Sequence, residues 1–254
     1  MRKVLTCTLL VLLALSLGAA RAGEPTLESV EIAIDEAWQK VNTFTANMTM
    51  DMTVPLGPMS VKSNATGQVE FMRVGDGQRF RMEIVNKLGG NMPIPGGAME
   101  QKVLSVYNGE LIYSEMETLG MKKYSKAKPK EGGSNDPMGG KGVVESLRKK
   151  GEVKLLPDEE LNGASASVLE VIPNEQMKKE GPIKPSKAKF YIAKDSGIKL
   201  KTDMFDAAGA TLMTMSYVDV KVNPELDPKR FEYTPPPGVE VIDMGDGMQK
   251  RPMF

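Results

Sequence analysis

The stretch "FTANMTMDMTV" puts Met48, Met50 and Met52 at every second position, with Asn47, Thr49, Asp51 and Thr53 around them. A second Met-x-Met pair follows at Met213 and Met215. Side chains two apart on an extended strand point to the same side, so this spacing puts three thioethers on one face. Three kinds of chemistry use such a face. Methionine thioethers bind Cu(I). They also fill irregular gaps in an ordinary core. Being unbranched and polarisable, they line surfaces that re-pack around guests of variable shape. A tight metal site would need sulfurs from neighbouring strands, because residues two apart on one strand start about 7 Å apart.

Other chemistry is thinly represented. The chain has no histidine, and its one cysteine is Cys7. The usual nucleophile–base pairs are therefore missing. Asp158, Glu159 and Glu160 form a charge run of the kind that faces solvent. "GDGQ" (75–78) and "GDG" (245–247) read as turns, since neither opens a clear helix as a phosphate loop must. The expectation is a binding protein without a cofactor.

The first 22 residues, "MRKVLTCTLLVLLALSLGAARA", combine a basic start, an apolar run and an Ala-x-Ala ending at Ala22. This is the pattern of a secretory signal peptide, and the run is too short for a comfortable membrane span. Cys7 sits inside the apolar run rather than after it, so it is not in the place of a lipid anchor. The expected mature chain, 23–254, has neither cysteine nor histidine and must be held by a core rather than by disulfides. Losing Arg2, Lys3 and Arg21 leaves 30 of the 33 basic residues against 33 acidic ones, a net charge of −3. That is no nucleic-acid footprint. The expectation is a soluble protein exported to the periplasm.

The elements that must position the methionines follow from periodicity. Leu27, Val30, Ile34, Trp38 and Val41 recur at helical spacing after the N-cap candidate Thr26. From Phe44 the period is two, through Val54, Val61 to Phe71, and Phe80 to Ile84. A strand over about 101–107, the Asn-Gly turn "YNGE" and a return strand over 111–116 come next. A short helix over about 143–150 stops at Gly151, a candidate left-handed cap. Strands resume over 153–156, 165–172, 187–193, 198–205 and 211–222. Two Gly- and Pro-rich connections, 89–99 and 128–142, are longer than hairpins need and are candidate lids. With no repeat and no linker, 23–254 is expected to form one domain.

In this order the segments "AWQKVNTFTANMTM", "GQVEFMRVGDGQRFRMEI", "VYNGELIYSEMETLGMKKY" and above all "VDVKVNPELDPKRFEYTPPPGVEV" resemble the LolA-like outer-membrane lipoprotein-sorting proteins. Their relatives include LolB, the LppX-type carriers and the sensor domain of RseB. The chain departs from that pattern at "GDGQ", where the family usually carries a proline, and in the methionine-rich 89–99 loop. The resemblance implies a mostly β fold: an incomplete, strongly curved antiparallel barrel closed by helices over an apolar cavity. It implies a carrier of acylated lipoproteins or lipids, with an inner-membrane releasing complex and an outer-membrane acceptor as partners. A non-enzymatic envelope sensor of the same fold and a Cu(I)-binding protein stay open. The expected cavity lining is Met48, Met50, Met52, Phe71, Phe80 and Met82. It continues with Ile84, Leu104, Val106, Met213, Met215 and Tyr217.

Overall fold

The computed structural model describes residues 25–56, 59–90, 99–129, 140–179 and 183–245. The expected signal segment, most of the 89–99 loop and most of the 128–142 loop lie outside the described residues, so neither lid candidate is placed.

Helix α1 (Leu27–Gln39) starts where Thr26 accepts a hydrogen bond from the Ser29 amide, 3.2 Å. That bond satisfies one of the amides a helix start leaves open. Six strands follow: β1 (Thr43–Leu56), β2 (Met59–Val74), β3 (Gly77–Gly90), β4 (Met99–Tyr107), β5 (Ile112–Thr118) and β6 (Met121–Ala127). Helix α2 (Val143–Lys150) leads into β7 (Gly151–Leu161), β8 (Ala164–Pro173) and the short α3 (Glu175–Lys179). The remaining strands are β9 (Lys187–Ala193), β10 (Lys199–Phe205), β11 (Thr211–Val222) and β12 (Val241–Asp243).

Among the described residues all twelve strands join one sheet in the order β12-β6-β5-β4-β3-β2-β1-β11-β10-β9-β8-β7. Every pairing is antiparallel except that of β12 with β6. The sheet is open, because β12 and β7 end it rather than meeting. Irregular registers at Thr45/Asn47, Met204/Phe205, Lys199/Lys201 and Leu156/Glu159 bend and twist it. Gly67 shows which way it curls. A Cβ there would project on the Met48 side and stand 2.2 Å from the Glu83 carbonyl oxygen of β3. Only glycine allows the next strand to fold over onto that side. The methionine side is therefore the inner face, and the expected curved, incomplete barrel is what the chain forms.

Helices α1 and α2 lie against the inner face of the β8–β9 end. Val30 and Ile34 of α1, with Val143, Val144 and Leu147 of α2, cluster with Leu169, Val171, Ala188, Phe190 and Ile192. Arg148 bridges to Glu31, and the Gly142 amide donates to Asp35 Oδ1, 2.9 Å, which ties the helices together. Trp38, at the end of α1, is 3% exposed and carries the helix onto the middle of the sheet. Its ring lies 5.1 Å from Phe71, and Phe71 stacks on Phe44 at 5.0 Å.

Two turns differ from expectation. Gly151 does end α2, but its φ of 169° is extended backbone that starts β7, not a left-handed cap. The "YNGE" loop does not use Asn108 in a left-handed conformation; its side chain instead accepts from the Glu110 and Leu111 amides, both 2.9 Å. Tight two-residue turns join β7 to β8, where Asn162 and Gly163 take φ of 52° and 81°, and β5 to β6, where Leu119 and Gly120 take φ of 52° and 74°. Leucine gives no turn signal, so the sequence concealed that hairpin.

Candidate functional site

Register builds the inner face row by row, since directly opposed residues point to the same side. One row runs Met204, Met213, Met52, Ser63, Leu88, Met99 across β10, β11 and β1 to β4. The next runs Thr202, Met215, Met50, Ala65, Asn86, Gln101, Thr118 as far as β5. A third runs Tyr217, Met48, Gly67, Ile84, Val103, Met116. The fourth holds Ala46, Val69, Met82, Ser105, Ser114 and Ser125. Phe44, Phe71, Phe80 and Tyr107 complete the floor beside Trp38.

The sequence-predicted residues thus fall into two groups. Met48, Met50, Met52, Phe71, Phe80, Met82, Ile84, Met213, Met215 and Tyr217 share the inner face, while Thr49 and Asp51 are exposed on the other side. Leu104 and Val106 do not join them. They pair with Glu83 and Arg81, so they point to the outer face. Val106 is nonetheless 0% exposed, because the segment after β11 crosses the outer face of β2 to β6. Arg230 of that segment pairs with Glu70, its carbonyl accepts from Arg81, and Tyr233 donates to Glu115 at 2.9 Å. Oiliness alone chose Leu104 and Val106. The outer face is not wet there, so alternation misassigned the parity. Met99, Met116 and Met204 also belong to the inner face and were not among the expected lining residues.

Burial divides the inner face. At one end Val54, Val61 and Leu88 are closed in with Ile183 and Leu212; at the other the Trp38 cluster and the helices fill the space. Between these ends lies a half-buried band: Met50, Met52, Met213 and Met215, then Ile84 and Asn86, then Val103, Met116 and Thr118. Gly67 sits in its middle and contributes no side chain. The only orphan among the described residues is the buried Thr202 hydroxyl, at the β10 end of the band next to Met215 and 2% exposed.

Polar atoms concentrate at the other end. Ser63 donates to Asn86 Oδ1 at 2.8 Å, and Ser105 and Ser114 share a hydrogen bond of 3.1 Å. Gln101, 5% exposed, donates to Met116 Sδ at 3.1 Å and to Thr118 Oγ1 at 3.4 Å. Charge goes elsewhere: Glu83, Lys87, Lys102, Glu115, Glu117 and Lys122 occupy outer-face positions. On the outer face a hydrogen bond from Lys122, helped by Tyr233, holds the Glu115 carboxyl below the usual range. Burial, then Asp203, pushes the Tyr191 phenol up to about 12. A shallow recess at the Gly77 and Asn108 turns is lined by Arg79, Gln78 and Glu110 and lies apart from the band.

No family model matches the chain, and no curated protein matches it. Among solved structures it is similar to MucB, with a TM-score of 0.45 and 14% identity over 82% of this chain and 62% of that one. MucB is also known in complex with MucA in Pseudomonas aeruginosa. LprF from Mycobacterium bovis gives a TM-score of 0.41 and 11% identity, covering 81% of this chain and 99% of that one. A LolA superfamily protein from Nitrosomonas europaea gives 0.28 and 12%, covering 83% and 99%. This chain spans about three-fifths of the MucB chain it matches. Scores and identities are low, so function has to be argued from the inner face itself.

Proposed function

We propose that the protein is an exported binding protein that shelters the acyl chains of a lipid or lipoprotein on the half-buried band of its inner face. One observation supports this most: a curved sheet leaves a charge-poor band partly uncovered between two filled clusters, and surfaces it with methionine. A half-buried apolar surface is costly in water unless something covers it. Each buried methylene is worth about 0.8 kcal/mol, so a long acyl chain gains on the order of 10 kcal/mol by leaving water. Methionine re-packs around chains of different shape, and its loose fit keeps release possible. The carrier acts in an aqueous envelope space, delivering cargo between membranes. No side chain in the band offers a nucleophile with a base, and the reading is one of binding, not catalysis.

The test is displacement of a fluorescent acyl probe by wild type, Met50→Phe and Met82→Phe, with denaturant midpoints on the same proteins. Weakened uptake at nearly unchanged stability supports the proposal. Lower stability with unchanged uptake overturns it in favour of plain core. Cu(I) is added to the wild type in parallel, because Met204, Met213 and Met52 are cross-strand neighbours. A rise in stability by mass action with no acyl binding would make the band a metal site instead.

A further inference from the structure

We infer that the molecule held on the band is an amphiphile with an uncharged, hydrogen-bonding head, such as a glycerol ester or polyol, and that the head lies over β3 to β5. This rests on the acyl-binding reading above and adds which ligand class it takes and which way round it lies.

The band is chemically two-sided. Its β11–β1 half offers Met213, Met215, Met50 and Met52. Its β3–β5 half carries uncharged polar side chains in two parallel rows, Asn86–Gln101–Thr118 and Ser105–Ser114. An interior with no ligand gains nothing from such rows, because hydroxyls and amides cost free energy to bury unless well paired. Here the pairing is loose. Gln101 spends its amide on a thioether, a weak acceptor, and on a long contact to Thr118. Ser63 occupies the Asn86 oxygen, which leaves the Asn86 amide hydrogens for a ligand. Ser105 and Ser114 share one hydrogen bond, so one of their two protons stays free for an acceptor. Ester carbonyls and hydroxyls match these donors.

Phosphate or carboxylate does not match them. Anionic heads are recognised by Arg and Lys, and the basic residues of β3 to β5 occupy outer-face positions. Two cations share the inner side of β2 to β6 among the described residues: Lys123, opposite Met116 on β6, is exposed at the margin, and Arg73 is held over the Trp38 ring, donating to the Val41 and Trp38 carbonyls. Spacing agrees with one molecule covering both halves. Met215 on β11 and Gln101 on β4 are four strand spacings apart, about 19 Å along the sheet.

The experiment loads the protein with a pyrene-labelled alkane, a probe with no head group, and displaces it with three chain-matched competitors: monooleoylglycerol, oleate and oleoyl lysophosphatidate. Monooleoylglycerol should displace the probe at about tenfold lower concentration than either anion. Ser105→Ala/Ser114→Ala and Gln101→Leu should abolish that preference, read for each variant as the ratio of competitor concentrations against its own alkane-probe affinity. Equal or better displacement by the anions overturns the inference, and so does a preference that survives both variants. If the alkane itself fails to bind, the acyl-binding reading falls; if it binds and no head preference appears, only this inference falls.

Discussion

The two halves of the inner face use one sheet to opposite ends. Over β8 and β9, Leu169, Val171, Ala188 and Ile192 are each 0% exposed under α1 and α2. In the band over β1 to β5 and β11, Met50, Met52, Ile84, Val103, Met213 and Met215 stay half-buried. The first half is a core, with β-branched and aromatic shapes that interlock. The second is surfaced by methionine, serine and amide, which tolerate a changing neighbour. Helix placement makes the difference, since α1 reaches the middle of the sheet only with Trp38 and stops there. Stability should therefore reside in one half and binding in the other, and substitutions can separate the two.

The largest effect belongs to the junction. Trp38→Ala removes the ring that meets Phe44, Phe71 and Arg73, and should cost about 3–5 kcal/mol by denaturant titration. A comparable loss at Met50, half-buried in the band, would erase the distinction between the halves. Next comes Gly197, where backbone rather than packing is at stake. Its φ is 68°, and a Cβ there would stand 2.6 Å from the Ile34 carbonyl oxygen of α1. Gly197→Ala should lower stability by about 1–3 kcal/mol and leave acyl-probe affinity per folded molecule unchanged.

These contrasts also show what a sequence can carry. The period-two runs around Met48, Phe71 and Phe80 have wet outer neighbours, so alternation assigns their side correctly. The same logic fails at Leu104 and Val106, because the segment holding Arg230, Phe231 and Tyr233 covers the outer face from more than a hundred residues away. The Leu119-Gly120 turn was illegible because a left-handed leucine follows no propensity. The polar rows escaped notice because each is assembled one residue per strand. Asn86, Gln101 and Thr118 share nothing in sequence and meet only through register.

The covering segment gives a smaller, pH-dependent test. Tyr233 donates to Glu115, whose carboxyl is held low chiefly by the Lys122 hydrogen bond. A carboxyl lowered on folding stabilises the fold above its ordinary value, and that contribution is lost as pH falls through the lowered one. Glu115→Gln should therefore melt below wild type at neutral pH, and the gap should close in acid below the usual carboxylate range. Tyr233→Phe should cost about 0.5–1 kcal/mol and leave the band's ligand preference intact. A change in that preference would mean that the outer face reports to the inner one.

Thr202 gives the smallest expected effect and the finest cut between the halves. It stands where they meet, with Phe190 opposite it on β9 and Met215 opposite it on β11. Its buried hydroxyl has no hydrogen-bond partner among the described residues. A buried hydroxyl without a partner costs the fold about 1–3 kcal/mol, and valine keeps the shape without that cost. If the β10 end of the band belongs to the filled half, Thr202→Val should raise the denaturant midpoint and leave alkane-probe binding as it was. If bound cargo brings a polar atom to this hydroxyl, the same variant should be more stable when empty yet should hold monooleoylglycerol more weakly. Apolar tails are expected at this end, so the first outcome is the one anticipated: a gain of up to about 1 kcal/mol in stability with binding unchanged. The second outcome would reverse the orientation of the amphiphile and place its head against β10.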